Sequence, residues 1–403
     1  MAAGITEHLK TTQGSAMNSQ LYDVIIIGAG PAGNVCAYLT AKAGLSTLVL
    51  EEHDDAGLFV NCTGIIGVEA FRRLNLPEEH ILSSLEAVTF YAPSGKSFRY
   101  KPNQPLAHIV SRRYFDKSLA ELAQSEGAKY RYNYHGRLLR ADSKSAEIRR
   151  SEEDPEPIQG KTVVIATGFG SNLAMQVGLQ GPKEIVYGAQ AEVEMAGLGD
   201  VEIYLGKSVA PDAFAWVVPL QPGRARIGLI ASKEAPRYFQ ALLRHPAIQP
   251  RILTEQPKML LSPIPTEPIE RSYTDRILVV GEAAGQVKTT TQGGIYYGAL
   301  CAAVAAETLQ EAFRRNDFRA KVLRRYEKTW RQQIGPELKA GSSLRRLFED
   351  LSDAQIDALV ELGTRDDIMS LVKRLAHFDW HRTLIQTSLK LPALQEVARG
   401  GLW

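Results

Sequence analysis

The chain has 403 residues, 44% of them apolar, enough for a sizeable core and for two or three domains at roughly 150 residues each. Its net charge of +2 says little about partners and no nucleic-acid partner is expected, while no apolar run reaches the roughly 18 residues of a membrane span and Met1 to Gln20 lacks the apolar core of a secretory signal. Cys36, Cys62 and Cys301 are too few and too scattered for a disulfide framework or a zinc site, so a soluble cytoplasmic enzyme without a metal is expected.

Residues 1–20 read as a disordered tail. The apolar run Asp23 to Ile27 reads as a buried parallel strand, and Gly28-Ala29-Gly30-Pro31-Ala32-Gly33 follows it into a helix. Gly28 permits the tight turn, Gly30 lets backbone approach a pyrophosphate, and Gly33 lets helix pack on strand. The helix N-terminus offers unpaired N–H groups to the phosphates, and Pro31 suits its first turn. Thr47 to Leu50 makes the next strand, ending at Glu51, where a carboxylate would accept hydrogen bonds from adenosine ribose hydroxyls.

Val88 to Tyr91 and Ser97 to Tyr100 flank Pro93-Ser94-Gly95 and read as a hairpin that leaves the nucleotide domain. Arg112 to Gly127 has Phe115, Leu119 and Leu122 on one helical stripe and leads to a strand near Tyr130 to Tyr134. Lys161 to Ala166 is a further buried strand. Short strands with turn signals run from Gly188 to about Pro265 and suggest an antiparallel sheet that covers a ligand. Arg276 to Val280 returns to the nucleotide sheet and ends at Gly281-Glu282-Ala283-Ala284-Gly285, with Gln292-Gly293-Gly294-Ile295-Tyr296 soon after. A second glycine turn this far from the first can close over a ribityl chain and an isoalloxazine ring, which points to FAD. A helix from about Gly294 to Arg314 follows, and beyond it the chain reads as helical, with Phe318, Val322, Leu323, Tyr326 and Trp330 on one face.

The fold class is therefore α/β: a Rossmann-like FAD-binding domain assembled from 21–85, 105–185 and 272–317, an antiparallel-sheet substrate domain from 86–104 and 186–271, and a helical C-terminal region over 318–403. Between Arg314 and Arg346 there are 11 Lys or Arg against three acids. That basic face could dock an acidic ferredoxin or an anionic membrane surface, or simply be solvated. The tail from Leu384 to Leu402-Trp403 could rest on a bilayer or close a domain.

The order of motifs, Gly28 to Gly33, Glu51, Arg112-Arg113-Tyr114-Phe115-Asp116, Ala166-Thr167-Gly168 and Gly281 to Gly285, resembles flavoproteins of the p-hydroxybenzoate hydroxylase fold. Within it, Phe214-Ala215-Trp216-Val217-Val218-Pro219, with Gly228 nine residues on, is similar to the aromatic-x-Trp-x-Phe-Pro signature of the geranylgeranyl reductase family, and Gln286 to Gly298 fits that family's closing loop. The resemblance implies an FAD-dependent reductase that saturates isoprenoid double bonds of a geranylgeranyl or other prenyl group on a lipid, quinone or chlorophyll-type substrate. The electron donor it implies is NAD(P)H or reduced ferredoxin. Ala32, Glu51, Cys62, Arg112, Glu282, Gly294 and Ile295 match family FAD contacts, and Gly136 matches more loosely. Glu282 stands where the family has Asp, Phe214 replaces Tyr and Val218 replaces Phe.

Chemistry gives several of these residues a role without the family. Glu282 can accept from ribityl hydroxyls, and Gly293-Gly294 lets N–H groups approach the pyrimidine edge of a flavin and stabilise its anionic reduced form. Cys62, in Asn61-Cys62-Thr63-Gly64, is the catalytic candidate beside the ring, against the alternative of a loop cysteine that only packs there. Trp216 either walls an apolar tunnel or is ordinary core. Tyr296 either presents its hydroxyl to the site or packs. His377 and His381 have i, i+4 spacing but no apparent third ligand. An FAD-dependent aromatic monooxygenase of the same fold is the alternative; a halogenase is disfavoured because Phe214 to Pro219 has only part of a Trp-x-Trp-x-Ile-Pro motif.

Overall fold

The computed structural model describes residues 21–400, so the expected disordered tail over 1–20 and the Leu402-Trp403 terminus lie outside the described residues. Uninterrupted β-branched runs are stable only with both faces covered, and Leu21–Ile27 takes the centre of an eight-stranded sheet. It pairs in parallel with Thr47–Leu50 on one side and Ile158–Ile165 on the other. Ile277–Val279 extends the sheet at one end and Lys129–Arg131 at the other. Parallel pairs need long crossovers, and helices Pro31–Lys42, Arg112–Ser125 and Ile295–Arg315 form one layer over the Val24, Ile26, Val49 and Val164 face. Cys36 and Cys301 are buried in that layer, where desolvation pushes the Cys36 thiol up to about 12.

The second sheet has seven strands in the order Leu260–Pro265, Ile185–Glu194, Arg224–Ala231, Ala210–Gln221, Val201–Gly206, Val88–Tyr91, Ser97–Tyr100. Its central strands are longer than the short ones expected, 10 residues for Ile185–Glu194 and 12 for Ala210–Gln221. The apparent turn signals Gly188 and Pro219 lie inside strands: Gly188 packs beside Ile264, and Pro219 sits next to a register shift, a position that tolerates its missing N–H. One face packs on helix Ala235–Leu243 around Phe239 and Leu242, and the other is the Val88, Trp216, Val218 and Ile230 face. A third sheet of Ile65–Gly67, Ala107–Val110 and Ile81–Leu85 joins the two.

Helix Ala320–Glu349 buries Leu323, Tyr326, Trp330 and Ile334, a 3.6-residue stripe. Tyr326 donates to the Val279 carbonyl at 2.7 Å and accepts from Gln286 Nε2 at 2.7 Å, while Trp330 Nε1 donates to Ser272 at 3.0 Å. These bonds satisfy the buried polar tips and seat the helix beside the nucleotide sheet. Helices Asp353–Leu362, Asp366–Leu375, Arg382–Ser388 and Pro392–Ala398 complete the C-terminal region.

Candidate active site

The turn after Leu21–Ile27 is built from backbone that only glycine permits. Gly28 has φ +105°, and a Cβ there would lie 2.5 Å from the Ala166 carbonyl oxygen; a Cβ on Gly33 would lie 2.0 Å from the Gly28 oxygen. Gly30, in contrast, has nothing within 4 Å of its Cβ position and lines a large cavity. Helix Pro31–Lys42 begins there with no side-chain cap, so the first-turn N–H groups face the cavity end unpaired by side chains. Glu51 lines the same cavity: its carboxylate accepts from Ala29 N at 2.8 Å and His53 N at 3.1 Å and lies 2.6 Å from His53 Nδ1. An anion-ready helix end beside a pinned carboxylate fits the pyrophosphate and ribose of a dinucleotide.

The second glycine turn approaches the first directly. Gly281 has φ +69°, and a Cβ there would lie 2.9 Å from Ala32 Cβ, while a Cβ on Gly298 in the following helix would lie 3.4 Å from the same atom. Glu282, on the short helical turn Gly281–Ala284, lines the cavity so deeply that desolvation, opposed by the Arg112 charge, raises its carboxyl to about 7. Arg112 forks onto Asp116 with Nε–Oδ1 2.8 Å and Nη2–Oδ2 2.7 Å, a pair almost wholly removed from solvent. The guanidinium also reaches the Cys62 side chain.

The Cys62 loop is fastened to the second sheet rather than to the first. Gln190 Nε2 donates to Asn61 Oδ1 at 2.8 Å, Thr63 Oγ1 donates to Gln190 Oε1 at 3.1 Å, Asn61 Nδ2 donates to Ser262 at 2.8 Å, and Arg226 Nη1 donates to the Thr63 carbonyl at 2.7 Å. Gln190 and Arg226 were not singled out by sequence reading; the available signal was a Gln between the small residues Ala189 and Ala191 of a strand. On the opposite side Lys288 pairs with Asp379 at 2.7 Å, both almost fully buried, and its Nζ lies 4.2 Å from the centroid of the Phe378 ring. This ion pair ties the loop before Gly293-Gly294 to the C-terminal helices, a contact across 91 residues that no local pattern announces.

One cavity of about 1830 Å³ runs from Gly28 and Gly30 past Cys62, Glu282 and Gly293 and along the apolar face of the second sheet. Its far walls are Leu347, Phe348, Leu359, Leu362, Met369 and Ile385 of the C-terminal helices. Trp216 lies on the sheet face directly across from Gly228, whose Cβ would fall 2.4 Å from the indole, so the glycine makes room for the ring. Ala32, Glu51, Cys62, Thr63, Arg112, Gly136, Gly281, Glu282, Gly293, Gly294, Ile295 and Trp216 all line this one space. Tyr296 does not. Successive helix residues are turned by about 100°, so with Ile295 facing the cavity the Tyr296 ring packs inward and its hydroxyl donates to Glu69 at 2.9 Å. The glycine cradle, the uncapped helix, the two carboxylates and the length of the cavity fit FAD.

Residues 22–198 match the family described as pyridine nucleotide-disulphide oxidoreductase. A digeranylgeranylglycerophospholipid reductase of Methanocaldococcus jannaschii is 32% identical over 370 residues, covering 88% of this chain and 94% of that protein. A second reductase of that description, from Methanopyrus kandleri, is 30% identical over 374 residues, 87% of this chain and 93% of its own. Among solved structures, a geranylgeranyl bacteriochlorophyll reductase-like protein of Thermoplasma acidophilum has the same fold with a TM-score of 0.82 at 22% identity, covering 94% of this chain and 98% of that one. A flavin-dependent halogenase solved with FAD shares the fold with a TM-score of 0.67 at 17% identity, covering 94% and 90%.

Proposed function

The chain belongs to the geranylgeranyl reductase family of FAD-dependent oxidoreductases, and from that premise we propose that it saturates isoprenoid double bonds of a geranylgeranyl or other prenyl group carried on a lipid, with quinone or chlorophyll-type head groups as the related carriers. The observation that carries this reading is the continuity of the cavity, which joins a dinucleotide cleft to an apolar sheet face roofed by apolar helices. A small aromatic substrate would need far less room; a long, flexible hydrocarbon fills it.

Bound FAD, once reduced, supplies a hydride. The chain's own groups orient and exclude water. Gln190, Asn61 and Arg226 hold the Cys62 loop between cofactor and substrate sheet, Trp216 and its neighbours keep the reacting alkene out of water, and Glu282, whose carboxyl desolvation raises to about 7, lies at the floor of the site. The reductant that recharges the flavin is a nicotinamide or a reduced ferredoxin; anaerobic stopped-flow bleaching of the flavin with each separates them. The basic stretch after Arg314 is the surface available to an acidic ferredoxin or an anionic membrane, although Arg314 and Arg315 pair with Glu311, and Arg319 and Lys321 with Asp317.

The deciding experiment is anaerobic incubation of the flavin-loaded, dithionite-reduced protein with geranylgeranyl lipids, quinones and diphosphates, read by mass spectrometry. Stepwise gain of hydrogen pairs is expected and ranks the head groups. No gain, with aromatic compounds instead accelerating oxygen consumption, would replace this reading with a monooxygenase.

A further inference from the structure

We infer that Phe90, Phe98 and Gly363 form an end stop that fixes how much prenyl tail can pass the flavin, and hence which double bonds the protein saturates; this rests on the prenyl-reductase reading above. The second sheet gives the tunnel a ruler. Residues in register across it form one row: Gln190 opposite Gly228, Gly228 opposite Trp216, Trp216 opposite Ile203, Ile203 opposite Phe90, and Phe90 opposite Phe98. The row starts at Gln190, which holds the Cys62 loop, and ends on the outermost strand. From Gly228 to Phe98 it crosses four strand spacings, roughly 19 Å at about 4.8 Å each.

At its far end the row runs into two packed aromatic rings that line the cavity. The Phe90 and Phe98 rings stack with centroids 4.8 Å apart and 12° between planes. Gly363, which ends helix Asp353–Leu362, sits so close that a Cβ would lie 2.6 Å from the Phe98 ring. The helix is held against the hairpin by Lys96 to Glu361 at 2.7 Å and by the Ser94 N–H to Asp357 at 3.0 Å, and its first turn is held by the Lys207 N–H to Asp353 at 2.8 Å. Between Trp216 and Phe98 the row carries only Ile203 and Phe90, so nothing along it would solvate a polar head group. The tail enters and the head group stays behind the flavin.

An extended carbon chain advances about 1.2 Å per bond, so with the double bond nearest the head group at the flavin roughly thirteen bonds of a four-isoprene tail reach about 16 Å beyond it and roughly seventeen bonds of a five-isoprene tail about 20 Å. The first is shorter than the row and the second longer. A four-unit tail can therefore slide in until the double bond nearest the head group reaches the flavin, whereas a fifth unit would strike Phe98 first. Each saturation breaks one C=C π bond and forms two C–H bonds, with the hydride from reduced flavin and the proton from a site acid or water.

The test uses the FAD-loaded, dithionite-reduced protein under anaerobic conditions with three-, four- and five-unit prenyl chains on one common head group, and tandem mass spectrometry to locate the double bonds that remain. Wild type is expected to saturate the four-unit chain fully and to leave the bond nearest the head group in the five-unit chain. Phe98→Ala should saturate the five-unit chain fully, and Phe98→Trp should leave the bond nearest the head group in the four-unit chain. The ratio of full to incomplete product should move by at least about tenfold in each case, the scale on which a misfit in an apolar pocket discriminates. Phe90→Ala, checked for flavin content and circular dichroism, is the second opening variant should Phe98→Ala not fold. Reduction by wild type with the same product pattern in every folded variant overturns the end stop and leaves prenyl reduction standing; no reduction of any chain by wild type overturns both.

Discussion

The dinucleotide cleft and the apolar tunnel share one cavity but are specified in opposite ways. The cleft is backbone: Gly28 and Gly281 at positive φ, Gly33 against a carbonyl, and a helix end without a side-chain cap. Its residues fall in two short segments, Gly28 to Gly33 and Gly281 to Gly285, because each tight turn is a local object. The tunnel is side chain, and the members of its central row come from six strands spread between Phe90 and Gly228. A ligand with fixed charges and hydroxyls demands the first kind of site, while a flexible hydrocarbon demands only shape and dryness, which distant segments can supply together.

The largest effect separating the two should come from Gly30→Leu. Since nothing lies within 4 Å of that Cβ position, the variant should fold with an unchanged circular dichroism spectrum and yet purify with almost no flavin and no activity. Stoichiometric flavin in the folded variant would show that the pyrophosphate does not lie there. Gly33→Ala is the control on the other side of the same turn: its Cβ would lie 2.0 Å from the Gly28 oxygen, so it should lose stability as well as flavin.

Where cleft and tunnel meet, the energetics should be dominated by one buried charge pair. Asp379→Ala strands the Lys288 ammonium, only 5% exposed, and should cost about 3–5 kcal/mol in urea unfolding of the apoprotein. The double variant Lys288→Met with Asp379→Ala should recover most of that, since it leaves no uncompensated charge. A single-variant cost under about 1 kcal/mol would mean that water reaches the pair.

Sequence made the cleft legible and the tunnel only partly so. The strand Thr47–Leu50 has the bounds expected of it, because a short β-branched run between turn residues admits one reading. On the helix Arg112–Ser125 the inward stripe is Phe115, Asp116, Leu119, Ala120 and Ala123, with Leu122 at its edge. A charged residue was turned inward by its Arg112 partner, which hydrophobic periodicity cannot anticipate. Gly228 was noticed as a spacing after Trp216, but its reason, space for the indole on the neighbouring strand, appears only once register is known. Sequence leaves Tyr296 open between presenting its hydroxyl to the site and packing; the structure shows it packed with its hydroxyl on Glu69, because on a helix start sequence neighbours point different ways.

A smaller effect should come from Glu282 on the cleft side. Its carboxyl, ordinarily near 4.5, is raised to about 7 by desolvation. Between those values the folded apoprotein keeps a proton that the unfolded chain releases, so this group makes stability fall as pH rises across that window and level off above it. The total is at most roughly 3 kcal/mol. The urea midpoint of the apoprotein should therefore fall more, or rise less, from pH 5 to pH 8 in wild type than in Glu282→Gln, which cannot titrate; the same change in both proteins would remove Glu282 as the source.

The smallest effect should lie at the far end of the row, in Lys96→Met. Lys96 and Glu361 join the hairpin to helix Asp353–Leu362 at 2.7 Å, but their side chains are 56% and 62% exposed. Water solvates both charges when they part, salt screens them, and ordering two long side chains opposes the attraction. The helix meets the hairpin through Gly363 against Phe98, while Leu362 packs with Val397 of the last helix and the Ser352 and Gln355 capping box satisfies its own first turn. Lys96→Met should thus leave the denaturation midpoint and the prenyl product pattern unchanged within error. A measurable loss of stability that disappears in high salt would instead make the end of the tunnel an electrostatic closure, and the contrast between a polar cleft and a tunnel held by packing would fail at that end.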